Sequence, residues 1–158
     1  MILTTERLDL VPLSLRQLKL WVEDINSLER ELDCKYKAEP MTGSFLEIVL
    51  GQLEITQKDP DNYFWHSFWF LIRRYDRIVV GSADFKNIPN AANEVEIGYG
   101  LGCEFEHNGY MTEAVRAMCD WALKQENVSH VLAETELESF ASQRILKRCG
   151  FVEERRAE

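Results

Sequence analysis

The stretch EFEHNGYMTEAV (104–115) sets a turn dipeptide, Asn108-Gly109, directly before an amphipathic helical pattern. Two kinds of chemistry fit it. One is an ordinary turn and helix cap. The other is an anion cradle: the first turn of a helix has N–H groups without intrahelical partners and a partial positive charge. A glycine there lets backbone and ligand approach closely. Strand, short glycine-containing loop and helix, in that order, is an arrangement that binds pyrophosphate, and EVEIGYGL (94–101) supplies the strand. Glu106 works against an anion at the same place. His107 and His130 are isolated in the chain, so no metal site is expected. Cys34, Cys103, Cys119 and Cys149 lack metal-ligand spacing and read as reduced thiols, mostly filling core positions.

The elements that must position these residues follow from periodicity. RLDLVP (7–12) alternates as a strand, and residues 13–24 carry a helical stripe. SLEREL (27–32) reads as a helical turn, 39–43 as a loop and 44–59 as a helix. Residues 66–74 and 77–87 form two strands of a hairpin around Tyr75-Asp76. After a loop at 88–93, residues 94–101 alternate strictly, with Val95, Ile97, Tyr99 and Leu101 on one face and Glu94, Glu96, Gly98 and Gly100 on the other. A helix follows from Thr112 to Gln125, then a strand at 129–137. The helix at 140–149 has Ser139 at its N-cap position and Gly150 just past its end. A last strand begins at 151–156. Three consecutive strands with short turns predict an antiparallel meander, and the strand–helix–strand unit after it predicts a parallel pair.

At 158 residues and 46% apolar content the chain reads as a single domain over 1–158. Its formal charge of −9 argues against a nucleic-acid partner and is compatible with a cationic substrate. No apolar run is long enough to span a bilayer and no signal peptide is evident, so a cytoplasmic protein without a membrane partner is expected.

Four pieces, in order, resemble the GNAT acetyltransferase superfamily, and more narrowly the branch of bacterial acetyltransferases that modify the N-terminal alanine or serine of ribosomal proteins. TERLDLVPLSLRQL (4–17) resembles the opening strand and first helix, and EVEIGYGL the fourth strand. GYMTEAV (109–115) resembles the run that follows the phosphate loop. TELESFASQRILKRCGF (135–151) resembles the Thr, Asn, Ser, then Gly-Phe pattern of the penultimate helix. The resemblance implies a mixed α/β (α+β) fold of three layers. Its central sheet is mostly antiparallel with one splayed parallel strand pair, and helices cover both faces. It also implies acetyl-coenzyme A as co-substrate and a primary amine as acceptor, either a small molecule or a protein N-terminus. The chain departs from the family pattern at Glu106, where Arg or Gln is usual, at Met111, where a small residue is usual, and at Ser139, where Asn is usual.

Direct attack in a ternary complex needs a deprotonated amine, a polarised thioester carbonyl and a protonated leaving thiolate. By resemblance, Glu96 is the base, directly or through water; alternatively it is a strand-face carboxylate paired with a neighbouring cation. Glu134, if it shares that face, makes an acidic pocket with Glu96. Ser142 stands where the family protonates the thiolate, or bonds locally within its helix. Tyr99 is a candidate to polarise the thioester. The backbone of Tyr99, Gly100 and Leu101 is expected to pair with the pantetheine arm, where Gly98 and Gly100 ease a bulge. The cradle is His107, Asn108, Gly109, Tyr110, Met111 and Thr112, with Ser139 and Ser142 touching the cofactor from the penultimate helix. The run YFWHSFWF (63–70) is either core, or places Tyr63, Phe64 or Trp65 at the substrate mouth with His66 as a spare base. Loops 24–43 and 56–66 are expected to set the acceptor. An alternative reading keeps the fold but not the turnover: Glu106, Met111 and Ser139 would mark a binding or regulatory protein. Family members continue with one more strand after Gly-Phe-Val. Here that strand is either absent or supplied by a partner, which would favour a homodimer.

Overall fold

Leu8 and Leu10 are fully buried on one side of their strand and Val11 is buried on the other, so this segment needs cover on both faces. The computed structural model describes residues 1–154 and supplies that cover. In chain order the elements are β1 (Leu3–Thr4), β2 (Leu8–Pro12), α1 (Leu15–Glu23), α2 (Ile25–Leu32), β3 (Lys35–Tyr36), α3 (Gly43–Lys58) and α4 (Tyr63–His66). There follow β4 (Phe68–Arg73), β5 (Ile78–Asp84), β6 (Glu94–Glu96), β7 (Gly98–Leu101), α5 (Tyr110–Leu123), β8 (His130–Leu132) and α6 (Phe140–Arg148). The main sheet has six strands in the order β1-β2-β4-β5-β3, with β7 sharing the β5 edge beside β3. All its pairings are antiparallel except β3–β5, and β6 and β8 form a separate parallel pair.

Local chemistry sets the helix ends. Ser14 accepts from the Gln17 amide at 3.2 Å while the Gln17 side chain accepts from the Ser14 amide at 3.0 Å, a reciprocal cap that starts α1. Gly150, at φ +90°, stops α6: its N–H bonds Lys147 O and that of Phe151 bonds Leu146 O, which satisfies the last carbonyls. On one face of the sheet Trp21 of α1 packs edge-on against Phe45, Phe68 and Phe70. On the other, Ala114, Val115, Met118 and Ala122 of α5 cover Leu8, Leu10, Trp69 and Leu71.

Several boundaries differ from the periodicity. The strand expected over 94–101 breaks at Ile97. Its first part pairs with β8 and its second with β5, and the Ile97 N–H to Leu132 O bond at 2.8 Å is the last rung before they part. The strand expected over 129–137 is only His130–Leu132, because among the described residues no ladder partner continues β8 beyond that rung. Residues 63–66 are helical, closed by Ser67 N–H to Tyr63 O at 2.8 Å, so the next strand begins at Phe68. Among the described residues Phe151–Glu154 form no strand, and residues 155 and 156 of that expected strand lie outside the described residues. The two-residue strands β1 and β3 carry too few residues to show alternation. Among the described residues no helix is long and apolar enough to cross a membrane.

The aromatic run is core. Trp69 is fully buried, and Phe64 and Trp65 pack with it around Trp121 and Phe85. His66 is buried with Nε2 2.9 Å from Asp59. Cys34 and Cys119 are also buried, which pushes their thiols up to about 11 and about 12, the behaviour of inert core cysteines; Cys103 is exposed.

Candidate active site

Gly109 is the N-cap of α5 at φ +77°, a left-handed conformation that glycine adopts without steric cost. The loop before it is fixed from two sides. The Asn108 side-chain amide folds back onto Phe105 O and Glu106 O at 3.2 and 3.1 Å, while Arg7 Nη1 holds Asn108 O at 2.8 Å. Arg7 also donates through Nε to Glu113 Oε1 at 2.7 Å, and its guanidinium lies 4.5 Å from the Tyr110 ring centroid. Glu113 Oε2 accepts from the Arg7 amide at 2.8 Å and from the Thr5 hydroxyl at 2.5 Å. The β1–β2 turn therefore clamps the first turn of α5. Arg7 and Glu113 both lie within segments quoted for the family resemblance, yet the contact spans 106 positions and local periodicity gives no sign of it.

Burial pushes the Glu113 carboxyl up, but the hydrogen bonds from Thr5 and Arg7 outweigh it and hold the group below the usual glutamate range. The stability this confers is full above the unfolded value of about 4.3 and is lost as pH falls through the lower folded value. Glu113→Ala is expected to cost about 2 kcal/mol, from three lost bonds to a charged acceptor. Urea denaturation at pH 7 checks this, and the deficit should shrink toward zero as the pH is lowered below 4.

Beside this loop lies a cleft of about 380 Å³. Its strand wall is Tyr99, Gly100 and Leu101, and its loop and helix mouth is His107, Gly109, Met111 and Thr112. Ser142 and Ile145 of α6 close the third side. Among the described residues β7 pairs only with β5, so its other edge is open to this cleft. The N–H groups of the first turn of α5 have no intrahelical partner and stand at its mouth. Met111 does not block the loop: it is 2% exposed and packs in the core beneath the cleft. Glu106 is exposed and lies on the lining.

Three expected residues contribute differently. Asn108 and Tyr110 shape the loop, but their side chains are engaged elsewhere, Asn108 with its own turn and Tyr110 buried between Arg7 and Arg73. Ser139 is the N-cap of α6 yet makes no side-chain cap bond, and it does not line the cleft. Two residues were missed: Arg144 and Arg148, one helical turn apart on α6, both face the cleft. Among the described residues neither guanidinium has an ion pair. Their i, i+4 spacing was visible; that they turn toward the α5 loop was not.

Within the cleft the Tyr99 hydroxyl lies 2.7 Å from the Ser142 hydroxyl and 3.3 Å from Ser142 O. Burial pushes the Tyr99 phenol up, against the opposing hydrogen bond with Ser142, so it keeps its proton through neutral pH. Glu96 is ion-paired with Lys86. Glu134 follows the end of β8 and is exposed. A larger, more open depression of about 570 Å³ lies between α2 and the β4–β5 turn. Its three carboxylates and three cations, Glu29, Asp33, Asp76, Arg30, Lys35 and Arg77, offset one another, and it shares no lining residue with the cleft.

Comparison with known proteins agrees with this architecture. The family model for the acetyltransferase (GNAT) domain matches residues 7–152. The uncharacterized N-acetyltransferase YjdG of Bacillus subtilis (strain 168) is 26% identical over 151 residues, covering 96% of this chain and 89% of that protein. Among solved structures, the ribosomal-protein-S5-alanine acetyltransferase of Vibrio fischeri superposes with a TM-score of 0.69 at 18% identity, over 98% of this chain and 84% of that one. The microcin C7 self-immunity acetyltransferase MccE, solved with acetyl-CoA and AMP, gives 0.62 at 18% identity over 93% and 79%. The overall fold is thus one these solved structures share, and this chain belongs to the GNAT acetyltransferase family.

Proposed function

We propose that the protein transfers an acetyl group from acetyl-coenzyme A to a primary amine by direct attack in a ternary complex. One observation carries this: a single cleft joins the open edge of β7, the N-terminus of α5 and the Tyr99–Ser142 hydroxyl pair. The residues fit the co-substrate. Backbone N–H groups of residues 109–112 would hold the pyrophosphate, and the open edge at Tyr99, Gly100 and Leu101 would hold the pantetheine arm. Arg144 and Arg148 would supply the positive charge that Glu106 withholds. When bound, acetyl-coenzyme A supplies an activated thioester. Around it the chain orients the reacting carbonyl beside two hydroxyls, and the Tyr99–Ser142 pair is placed to deliver a proton to the departing sulfur. The acceptor is a small amine or a protein N-terminus; a ribosomal L7/L12 alpha-N-protein acetyltransferase has a similar fold.

Calorimetric titration of acetyl-coenzyme A and coenzyme A into the purified protein tests this. Micromolar binding is expected, and the double variant Arg144→Glu/Arg148→Glu should bind at least about tenfold more weakly with a shallower salt dependence. No binding to the folded wild type would overturn the reading. Binding without thiol release on a panel of primary amines would favour the second reading, a GNAT-fold binding or regulatory protein. The exposed Glu106 in the lining supports that alternative.

A further inference from the structure

The Asn108–Gly109 peptide group is trans, as are all the described peptide bonds, so its C=O and its N–H point in opposite directions. Arg7 Nη1 donates to the C=O at 2.8 Å, and among the described residues that oxygen has no other donor. The Gly109 N–H is therefore directed away from Arg7, and among the described residues it has no partner. Gly109 lines the cleft, whereas Asn108 and Arg7 do not. One side of this peptide is spoken for by a guanidinium, and the other is left bare at the helix mouth.

A peptide that precedes glycine in a turn is easily turned over. The flip rotates ψ of Asn108 and φ of Gly109, and glycine takes either sign of φ at little cost. In the flipped form a carbonyl oxygen would replace the N–H at the mouth, where it would repel an anion. The Asn108 side chain does not prevent this. Its bonds to Phe105 O and Glu106 O hold the residue before the peptide, not the peptide itself. Arg7 does hold it, and Arg7 is itself fixed. Its N–H donates to Glu113 Oε2 at 2.8 Å, its C=O accepts from the Arg74 amide at 2.8 Å, and its Nε donates to Glu113 Oε1 at 2.7 Å. One rigid fork thus spans a carboxylate on the first turns of α5 and the carbonyl just before that helix. It also offsets the negative charge of Glu113, which would otherwise act on an anion at the helix mouth.

We propose that Arg7 is a positioning residue for the acetyl donor: it locks the Asn108–Gly109 peptide with its N–H toward the pyrophosphate and offsets Glu113 beside it. The assignment rests on the acetyl-transfer reading above. Arg7 acts through the backbone of the loop and touches none of the reacting atoms.

The test follows the full-length ¹⁵N-labelled protein by NMR during titration with inorganic pyrophosphate, with calorimetry for acetyl-coenzyme A. In the wild type the Gly109 amide signal is expected to shift saturably. Arg7→Lys keeps the charge and loses the fork, so that shift should vanish and acetyl-coenzyme A should bind at least about tenfold more weakly. S-acetylpantetheine, which carries the thioester but no pyrophosphate, should shift the amides of Tyr99, Gly100 and Leu101 equally in both proteins. Arg7→Ala should lose more affinity than Arg7→Lys, and Arg7→Ala/Glu113→Gln should recover at least about threefold of it by removing the unpaired charge. The lysine variant carries the test should Arg7→Ala not fold. A wild-type Gly109 shift and wild-type affinity in Arg7→Lys would overturn the proposal. So would a Gly109 amide that ignores pyrophosphate in the wild type, or an equal loss of S-acetylpantetheine binding, the mark of a merely structural role. A wild type that binds pyrophosphate at Gly109 but no acetyl-coenzyme A would instead overturn the acetyl-transfer reading, and the Arg7→Lys shifts would still decide what Arg7 does.

Discussion

Gly109→Asp is expected to abolish acetyl-coenzyme A binding, by at least about 100-fold or about 2.7 kcal/mol, and to leave the fold intact. Gly109 sits at φ +77°, where an L-residue costs about 1–2 kcal/mol, and an added Cβ would meet the Arg7 terminal nitrogen at 3.3 Å, the movable end of a flexible side chain. The strain is tolerable, but the charge is not. An aspartate at an N-cap ordinarily stabilises a helix, and here its carboxylate would take the place of the bound anion, facing the same N–H groups and Arg7. Gly109→Ala carries the strain without the charge and should lose no more than about tenfold, near 1.4 kcal/mol. Calorimetry on both variants, with thermal unfolding to confirm folding, separates the two terms. Retained affinity in Gly109→Asp would remove the loop from the binding site.

Trp69→Ala should be the most damaging of the changes to stability, at about 3–5 kcal/mol, a large part of the roughly 5–15 kcal/mol typical of folded domains. Trp69 is fully buried, and its Nε1 donates to Phe64 O at 2.9 Å. Its ring lies 5.2 Å from that of Trp121 and 6.0 Å from that of Phe85. Trp121 belongs to α5, so the cavity would loosen the helix whose other end forms the anion cradle. Trp69→Phe keeps most of the volume and should cost about 1–3 kcal/mol, largely the orphaned Phe64 carbonyl. Urea unfolding measures both, and a Trp69→Ala cost below about 1 kcal/mol would show that this aromatic cluster is not what joins α4 to α5.

The order of the main elements was legible because each rests on local information. Ser14 and Gln17 cap α1 through neighbours three positions apart, Gly150 stops α6 through its own backbone, and strict alternation over 94–101 assigned each side chain to its face. The glycine-capped mouth of α5 was legible for the same reason. Periodicity gives a face, however, and not what lies across it. That the strand parts at Ile97 depends on two different partners, β5 and β8, competing for one segment. Lys86 reaches Glu96 across a loop of unpredictable path. Met111, out of pattern for the family, turns into the core, and Arg144 and Arg148 meet the α5 loop only through the packing of α6 on α5. Local pattern marked most of the longer elements, their faces and the helix mouth, since these follow from nearest neighbours along the chain. Which charges pair and which side chains share the cleft depend on the packing of distant segments, because those energies rest on distances that no local pattern encodes.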